Sequence, residues 1–154
     1  MDKPLKNYLI YIILIIATVV LTLFFSKSYL KDNGRKSILY DYVSEIKTDD
    51  FEQFMIESPD AIIYISNIQN SNNTKFEKRF KKKIDSLNIK DSVVFINKES
   101  IDSTFLNLLK RQYGLSLNIN ETSLIIINDN TLVDCIYIDD DFDINTIDFS
   151  EFRW

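Results

Sequence analysis

Two neighbouring stretches near the middle of the chain show the two periodicities that distinguish a strand from a helix. Residues 61–65 read Ala-Ile-Ile-Tyr-Ile, a short apolar run rich in β-branched and aromatic residues, which is typical of a buried strand. From Thr74 onward, apolar residues recur every three or four positions and predict an amphipathic helix. Its apolar stripe consists of Phe76, Phe80, Ile84 and Leu87. A polar loop, residues 67–73, joins the two elements.

The same patterns continue on both sides of this unit. Strand-forming residues predict a strand over 38–46, and Thr48 begins a predicted helix that runs to about Glu57. A second short apolar run, residues 92–97, predicts another buried strand. Because a helix connects it to the strand at 61–65, the two strands are expected to be parallel and to form a βαβ unit.

The last third of the chain is predicted to contain a helix and a hairpin. The helix covers 101–113, with Ser100 or Asp102 as its cap and Gly114 as its end. The hairpin strands are 122–127 and 131–138, and Asn128-Asp129-Asn130 forms the turn because Asn and Asp tolerate positive φ. The tail, 139–154, is acidic and then mildly amphipathic, which predicts a short closing helix.

An almost uninterrupted apolar run covers residues 8–25. At a rise of 1.5 Å per residue, such a helix just spans a hydrocarbon core of roughly 30 Å. A cleaved signal peptide is the alternative, but its apolar core is usually about 7–15 residues long and ends in small residues. This run ends in Leu23-Phe24-Phe25 instead. We therefore predict a membrane anchor over residues 1–27, a polar linker over 28–36 and one folded domain over 37–154.

The composition removes several classes of site. The 154 residues include no histidine and a single cysteine, Cys135, so the commonest general base and metal ligand is missing and no intrachain disulfide can form. The two glycines, Gly34 and Gly114, exclude a glycine-rich phosphate loop. A formal net charge of −5 argues against a general nucleic-acid binder. We predict no cofactor, no metal and no nucleic-acid partner.

The segment from Tyr64 to Phe76 resembles the active-site segment of thioredoxin-like proteins, in which a strand ends, a Cys-x-x-Cys opens a helix and a Phe lies one turn in. The two cysteine positions fall on Asn70 and Asn73. The order of elements is also similar, although Thr122 stands where the family begins a hairpin strand with a cis proline. The resemblance implies an α/β thioredoxin-like sandwich with a central mixed sheet, preceded here by one N-terminal transmembrane helix, and without dithiol chemistry.

The arrangement of a short tail, one anchor and a domain is similar to membrane-tethered thioredoxin-like proteins of bacteria, whose domains usually face outward. Some of them resemble bacteriocin-transport accessory proteins. Charge counting points the other way, because two lysines precede the apolar run and four basic residues follow it: Lys27, Lys31, Arg35 and Lys36. We expect a single-pass protein with an extracytoplasmic domain.

In thioredoxin-like proteins, extended polypeptide lies across the helix N-terminus and the loop that begins the hairpin strand. Free N–H groups at the helix start and unpaired backbone ahead of Leu124 provide a physical reason for binding without cysteines. Two alternatives remain: Asn70 and Asn73 cap the helix, or the partner binds the anchor, residues 8–25. The predicted partner-binding groove consists of Ile68, Gln69, Asn70, Asn73, Glu121, Thr122 and Ser123.

Two further patterns have a functional and a purely structural interpretation. Asp139, Asp141 and Asp143 alternate as in a calcium loop, but Ile144 and Ser150 occupy the positions that require Gly and Glu, so a solvated acidic loop is favoured. A basic cluster on the helix from Thr74 is suited to anionic lipid head groups or is simply a solvated helix face, and the latter is favoured. Its members are Lys75, Lys78, Arg79, Lys81, Lys82 and Lys83.

The function predicted from these observations is non-enzymatic. The chain is expected to be a membrane-anchored, redox-inactive thioredoxin-like domain that binds or positions a partner protein at the membrane, in an accessory role in secretion or envelope assembly. One alternative is a one-cysteine thiol exchange protein acting through Cys135, although a lone Cys in an apolar strand is typically a small buried hydrophobe. The other is a structural subunit of a membrane complex.

Overall fold

The computed structural model describes residues 12–23, 36–69 and 73–149. The chain divides into two compact units, Met1–Arg35 and Lys36–Trp154. Within the described ranges, no helix combines the length and the apolar character needed to cross a membrane. The predicted anchor over 8–25 extends beyond the described residues at both ends, and nearly all of the predicted linker over 28–36 lies outside them.

In the first unit, residues 12–23 form a helix, α1, whose apolar side chains are exposed. Its two threonines bond within the helix: the Thr18 hydroxyl donates to the Leu14 carbonyl and the Thr22 hydroxyl to the Thr18 carbonyl, each at 2.8 Å. This back-bonding satisfies the hydroxyls without any external partner.

The second unit is an α/β domain with one mixed sheet flanked by helices, as the sequence predicts. The elements in chain order are β1 (Ser44–Glu45), α2 (Phe51–Glu57), β2 (Ala61–Ser66), α3 (Thr74–Leu87), β3 (Val93–Asn97), α4 (Ser103–Tyr113), β4 (Thr122–Asn128) and β5 (Thr131–Ile138). Three strands, β1, β3 and β2, run parallel, while β4 is antiparallel to β2 and β5 is antiparallel to β4, giving the order β1-β3-β2-β4-β5.

The central strand β2 is buried on both faces, which explains why its sequence is continuously apolar and does not alternate. Ile62 and Tyr64 belong to the core on the α3 side of the sheet, together with Phe80. Ile63 and Ile65 point to the opposite core, which the apolar residues of α2 and α4 complete. The domain therefore has a helix–sheet–helix layering with two hydrophobic cores.

Most of the apolar stripe predicted for helix α3 is confirmed. Phe76, Phe80 and Ile84 are fully buried, but Leu87 is 39% exposed, so its assignment to the stripe is wrong. The helix ends at Leu87 because Asn88 adopts the left-handed conformation, with φ 56°. The turn directs Ile89 into the core in place of Leu87.

The strand predicted over 38–46 is wrong except for the short strand β1. Residues 38–42 form turns, because the N–H groups of Tyr42 and Val43 both donate to the Leu39 carbonyl. Ile38 donates its N–H to the carboxylate of Glu77 at 2.7 Å. These backbone N–H and carbonyl groups are therefore not available for hydrogen bonds to a neighbouring strand.

The helix predicted from Thr48 also begins later than expected. A 3₁₀ turn, Thr48–Asp50, precedes α2, and the Thr48 hydroxyl donates to the Ser100 carbonyl at 3.4 Å instead of capping the helix. By contrast, α4 has the predicted ends. Asp102 caps its first turn by accepting from the Phe105 N–H, and Gly114 ends it in the left-handed conformation.

The hairpin is confirmed, including its turn. Asp129 and Asn130 both have positive φ, 49° and 56°, which matches the expected use of Asp and Asn there. In the tail, a 3₁₀ turn, Ile144–Thr146, is the one helical element among the described residues. Residues 147–149 are not helical, which contradicts that part of the predicted closing helix, and its remainder, 150–154, lies outside the described part.

Candidate functional site

The sheet topology brings most of the predicted groove residues to one edge. Ser66, the last residue of β2, pairs with Asn97 at the end of β3, and Ile65 pairs with Ser123 near the start of β4. The loop after β2 and the loop before β4 therefore leave the sheet at the same edge. This places Ile68, Gln69, Asn73, Glu121, Thr122 and Ser123 at that edge, while Asn70 lies outside the described residues.

These residues divide into an exposed rim and a buried floor. Gln69 and Glu121 are exposed, and Ile68 is half-buried against the α3-side core. Thr122 and Ser123 are buried in β4 and pair with Ile138 and Tyr137 of β5. The expectation that they form a loop with unpaired backbone is therefore wrong, and only Glu121 precedes the strand.

Asn73 occupies the N-cap position of α3, but its side chain does not cap the helix. Instead its amide donates to the Thr122 hydroxyl at 2.7 Å, and the Ser66 hydroxyl lies 3.4 Å from the same oxygen. Asn73 is only 5% exposed. The capping interpretation of this residue is wrong, because its side chain connects the start of α3 to the start of β4.

The cap of α3 comes from the acidic tail. The Asp140 carboxylate accepts from the N–H groups of Lys75 at 2.7 Å and Phe76 at 3.4 Å. Arg79 strengthens this attachment by donating to the carbonyls of Asp140 and Phe142, both at 2.8 Å. Two of the N–H groups expected to be free for a partner are thus occupied within the chain.

A buried carboxylate lies beneath the rim. Glu77, on the first turn of α3, is 1% exposed and accepts hydrogen bonds from three donors. These are the Ser37 hydroxyl at 2.8 Å, the Ile38 N–H at 2.7 Å and the Tyr64 hydroxyl at 3.1 Å. Sequence patterns did not reveal this group, because Glu77 reads as part of the polar helix face.

Burial perturbs both titratable groups of this cluster. Desolvation raises the pKa of Glu77, and the bonds from Ser37, Ile38 and Tyr64 oppose that rise. Desolvation, followed by the charge of Glu77, raises the pKa of Tyr64 well above its ordinary value. Tyr64 therefore acts as a neutral donor.

A half-buried lysine lies near the same edge. Lys98 follows the last residue of β3, and burial lowers its pKa, while the nearby charge of Glu121 opposes that effect. The rim thus carries one ammonium and one carboxylate. Lys98 was also missed, because a lysine after an apolar strand carries no distinctive sequence signal.

Cys135 lies away from this edge, on β5, and is half-buried. Burial, together with the charge of Asp134, raises the pKa of its thiol to about 11. Because the thiolate is the reactive form, the thiol is poorly suited to exchange near neutral pH.

Most side chains of the acidic loop and of the basic cluster bind other groups of the same chain. In the described ranges, no group of three acidic or cysteine side chains is arranged to hold a metal ion. Asp139 accepts from the Asp141 N–H, and Asp143 accepts from Asn145. In the basic cluster, Lys75 pairs with Asp140 and Asp141, Arg79 binds tail carbonyls, Lys81 pairs with Asp85, and Lys83 lies over the Phe149 ring.

Comparison with known proteins assigns no family to this arrangement. No protein-family model matches the chain. No curated protein matches it either.

We expect Asp140→Ala to lower the free energy of unfolding by about 0.5–2 kcal/mol, because α3 loses its only described side-chain cap. Asp141→Ala is the matched control, since this neighbouring carboxylate is 92% exposed and forms only a 3.6 Å pair with Lys75. The control should change stability by less than about 0.5 kcal/mol. Urea unfolding of both variants measures the difference, and equal effects would contradict the assigned cap.

Proposed function

We propose that this chain is a membrane-anchored, redox-inactive thioredoxin-like domain that binds or positions a partner protein at the membrane. The observation that carries the proposal is the polar edge where β2 ends and α3 and β4 begin. The strand order and directions are compatible with a thioredoxin-like fold. An accessory role in secretion or envelope assembly follows from the resemblance to membrane-tethered members of that family.

The partner is proposed to contact the rim of this edge and not its floor. Gln69 and Glu121 offer an exposed amide and carboxylate, and Lys98 adds a partly desolvated ammonium. On the floor, Ser66, Asn73 and Thr122 are joined by hydrogen bonds. The neighbouring Ser123 hydroxyl is buried and has no hydrogen-bond partner among the described residues. Because Asp140 occupies the N–H groups of Lys75 and Phe76, recognition relies on the rim side chains and the backbone of the loop after β2.

The absence of redox chemistry rests on residue identity and on the environment of the one thiol. Asn73 is an amide engaged with Thr122, where the family resemblance would place a cysteine. Cys135 has a raised pKa and no second cysteine in the chain to complete a dithiol cycle. These facts support binding over the alternative of thiol exchange.

Membrane attachment is proposed through residues 8–25, with the domain outside the cytoplasm. The described part of this run, α1, exposes its apolar side chains and satisfies both threonine hydroxyls internally. Both features suit an apolar environment. The same exposed apolar surface favours a second candidate function, in which the chain is a structural subunit that binds its complex through this helix.

Photo-crosslinking amino acids at Gln69 and Glu121 are expected to capture the partner in intact cells. The control position is Lys90, which is exposed but precedes β3 and therefore lies at the opposite end of the sheet. Mass spectrometry of the crosslinked species identifies the partner. Equal capture at all three positions, or capture only from Tyr11 in the apolar run, would contradict the use of the groove.

We expect Cys135 to react slowly with a thiol reagent such as DTNB at pH 7.5, and faster as the pH approaches 11, because only the thiolate attacks. Stopped-flow absorbance of the folded chain gives the rate. The urea-unfolded chain is the control and should react at the rate of an ordinary cysteine. Rapid labelling of the folded chain at pH 7.5, or catalysis of insulin reduction, would favour the thiol-exchange alternative.

A further inference from the structure

We propose that Lys98 binds a carboxylate of the partner protein, in a site that also contains the buried hydroxyl of Ser123. The inference rests on the proposed function, because it names the chemistry that the rim of the partner-binding groove recognises. It adds a requirement that the binding proposal does not contain: the segment of the partner that contacts the rim is acidic at one position. We call Lys98, Glu121 and Ser123 the rim corner.

The sheet register brings the residues of the rim corner to one edge. Ile65 of β2 pairs with Ile96 of β3 on one side and with Ser123 of β4 on the other. Lys98 lies two residues after Ile96, directly after the end of β3. Lys98 and Ser123 therefore lie at the edge where the parallel strands β2 and β3 end. In open α/β sheets, ligands bind in the crevice outside the carboxyl ends of the strands.

Lys98 is half-buried, but its ammonium has no counterion in direct contact within the part of the chain that the structure describes. Burial lowers the pKa of Lys98, and the charge of Glu121 opposes that effect. A carboxylate that reaches a partly desolvated ammonium interacts with it more strongly than with an exposed one, because water and salt screen the pair less. The position of Lys98 therefore favours an anionic ligand group.

Glu121 acts on Lys98 through its charge, but its carboxylate is bonded elsewhere. The side-chain amide of Asn118 donates to it at 3.0 Å, and the Glu121 N–H donates to the Asn118 carbonyl at 3.2 Å. These bonds hold Glu121 in the exposed turn 118–121. Glu121 therefore leaves the contact position at Lys98 open, and its negative charge competes with an incoming carboxylate.

The Ser123 hydroxyl is the second group of the rim corner without a partner among the described residues. Buried polar side chains normally have a hydrogen-bond partner, so this hydroxyl is a candidate donor to a group from outside the chain. Ser123 pairs with Tyr137 of β5, whose hydroxyl accepts from the Asn118 N–H at 3.0 Å. The exposed turn 118–121 is thus attached next to Ser123, and a shift of this turn gives a ligand access to the hydroxyl.

The chemistry of the two groups favours a carboxylate. An ammonium can only donate hydrogen bonds and a hydroxyl can donate one, so the ligand group accepts, and the charge of the ammonium favours an anion. Carboxylates are present in a protein partner on Asp and Glu side chains and at the C terminus, whereas a phosphate group requires modification of the partner.

Carbodiimide coupling of the full chain in isolated membranes tests the contact directly, because this reagent joins an amine to a carboxylate without a spacer. We expect an amide bond between Lys98 and the same partner that a photo-crosslinker at Gln69 captures. Mass spectrometry of the joined peptides shows whether the carboxylate is a side chain or the C terminus. The control is Lys90, which is exposed at the opposite end of the sheet. Coupling to the partner at Lys90 as strong as at Lys98 would overturn the site.

Substitutions at Lys98 and Glu121 should change photo-capture from Gln69 in opposite directions. Lys98→Gln should reduce capture by roughly fivefold to tenfold, because a partly desolvated ion pair is lost. Lys98→Arg should keep most of it, because the positive charge remains. Glu121→Gln should increase capture by roughly twofold to fivefold, because the competing charge is removed. The exposed Lys110→Gln on α4 is the matched control and should bind as the wild type does.

Ser123→Ala separates loss of binding from loss of folding. Removal of a buried hydroxyl that lacks a partner should leave the midpoint of thermal unfolding unchanged or raise it, while capture from Gln69 decreases. A Ser123→Ala variant that captures the partner as the wild type does would overturn the role of the hydroxyl.

The experiments distinguish failure of this inference from failure of the proposed function. Capture from Gln69 that Lys98→Gln and Glu121→Gln both leave unchanged overturns the carboxylate site alone. The absence of capture from Gln69 and from Glu121 in the wild type contradicts the proposed function, and the site with it.

Discussion

The start of helix α3 packs against the central strands, and this burial removes its polar groups from water. Polar side chains from distant parts of the chain supply the hydrogen bonds that these groups lose. Asp140 reaches its first N–H groups from the tail, and Asn73 bonds to Thr122 of β4. Glu77 collects donors from Ser37 and Ile38 and from β2. An unsatisfied buried polar group costs about 1–3 kcal/mol, so the loss of any one of these contacts destabilises the start of this helix.

This arrangement bears on the proposal of a thioredoxin-like domain without dithiol chemistry. A thiol pair at a helix N-terminus needs accessible sulfur atoms and free N–H groups. Here the corresponding edge is closed by an amide–hydroxyl bond and by the Asp140 cap. The result favours a fixed surface with an exposed rim, which suits binding.

The local periodicity of the sequence predicted the elements well and their polar partners poorly. The strand at β2, the stripe of Phe76, Phe80 and Ile84, and the Asp129-Asn130 turn follow from rules that span a few residues. The prediction of a strand over 38–46 failed because the Ile38 N–H bonds to Glu77, which is far away in sequence, and not to a neighbouring strand.

The roles of Asp140 and Asn73 escaped prediction for the same reason. Nothing near residue 75 indicates that a carboxylate from the tail completes its helix, and Asn73 satisfies every local rule for a cap while bonding elsewhere.

A double-mutant cycle tests most directly whether Asn73 connects α3 to β4. Unfolding free energies of wild type, Asn73→Ala, Thr122→Val and the double variant should give a coupling energy of about 0.5–1.5 kcal/mol. A coupling energy near zero would show that the two side chains act independently and would contradict the account.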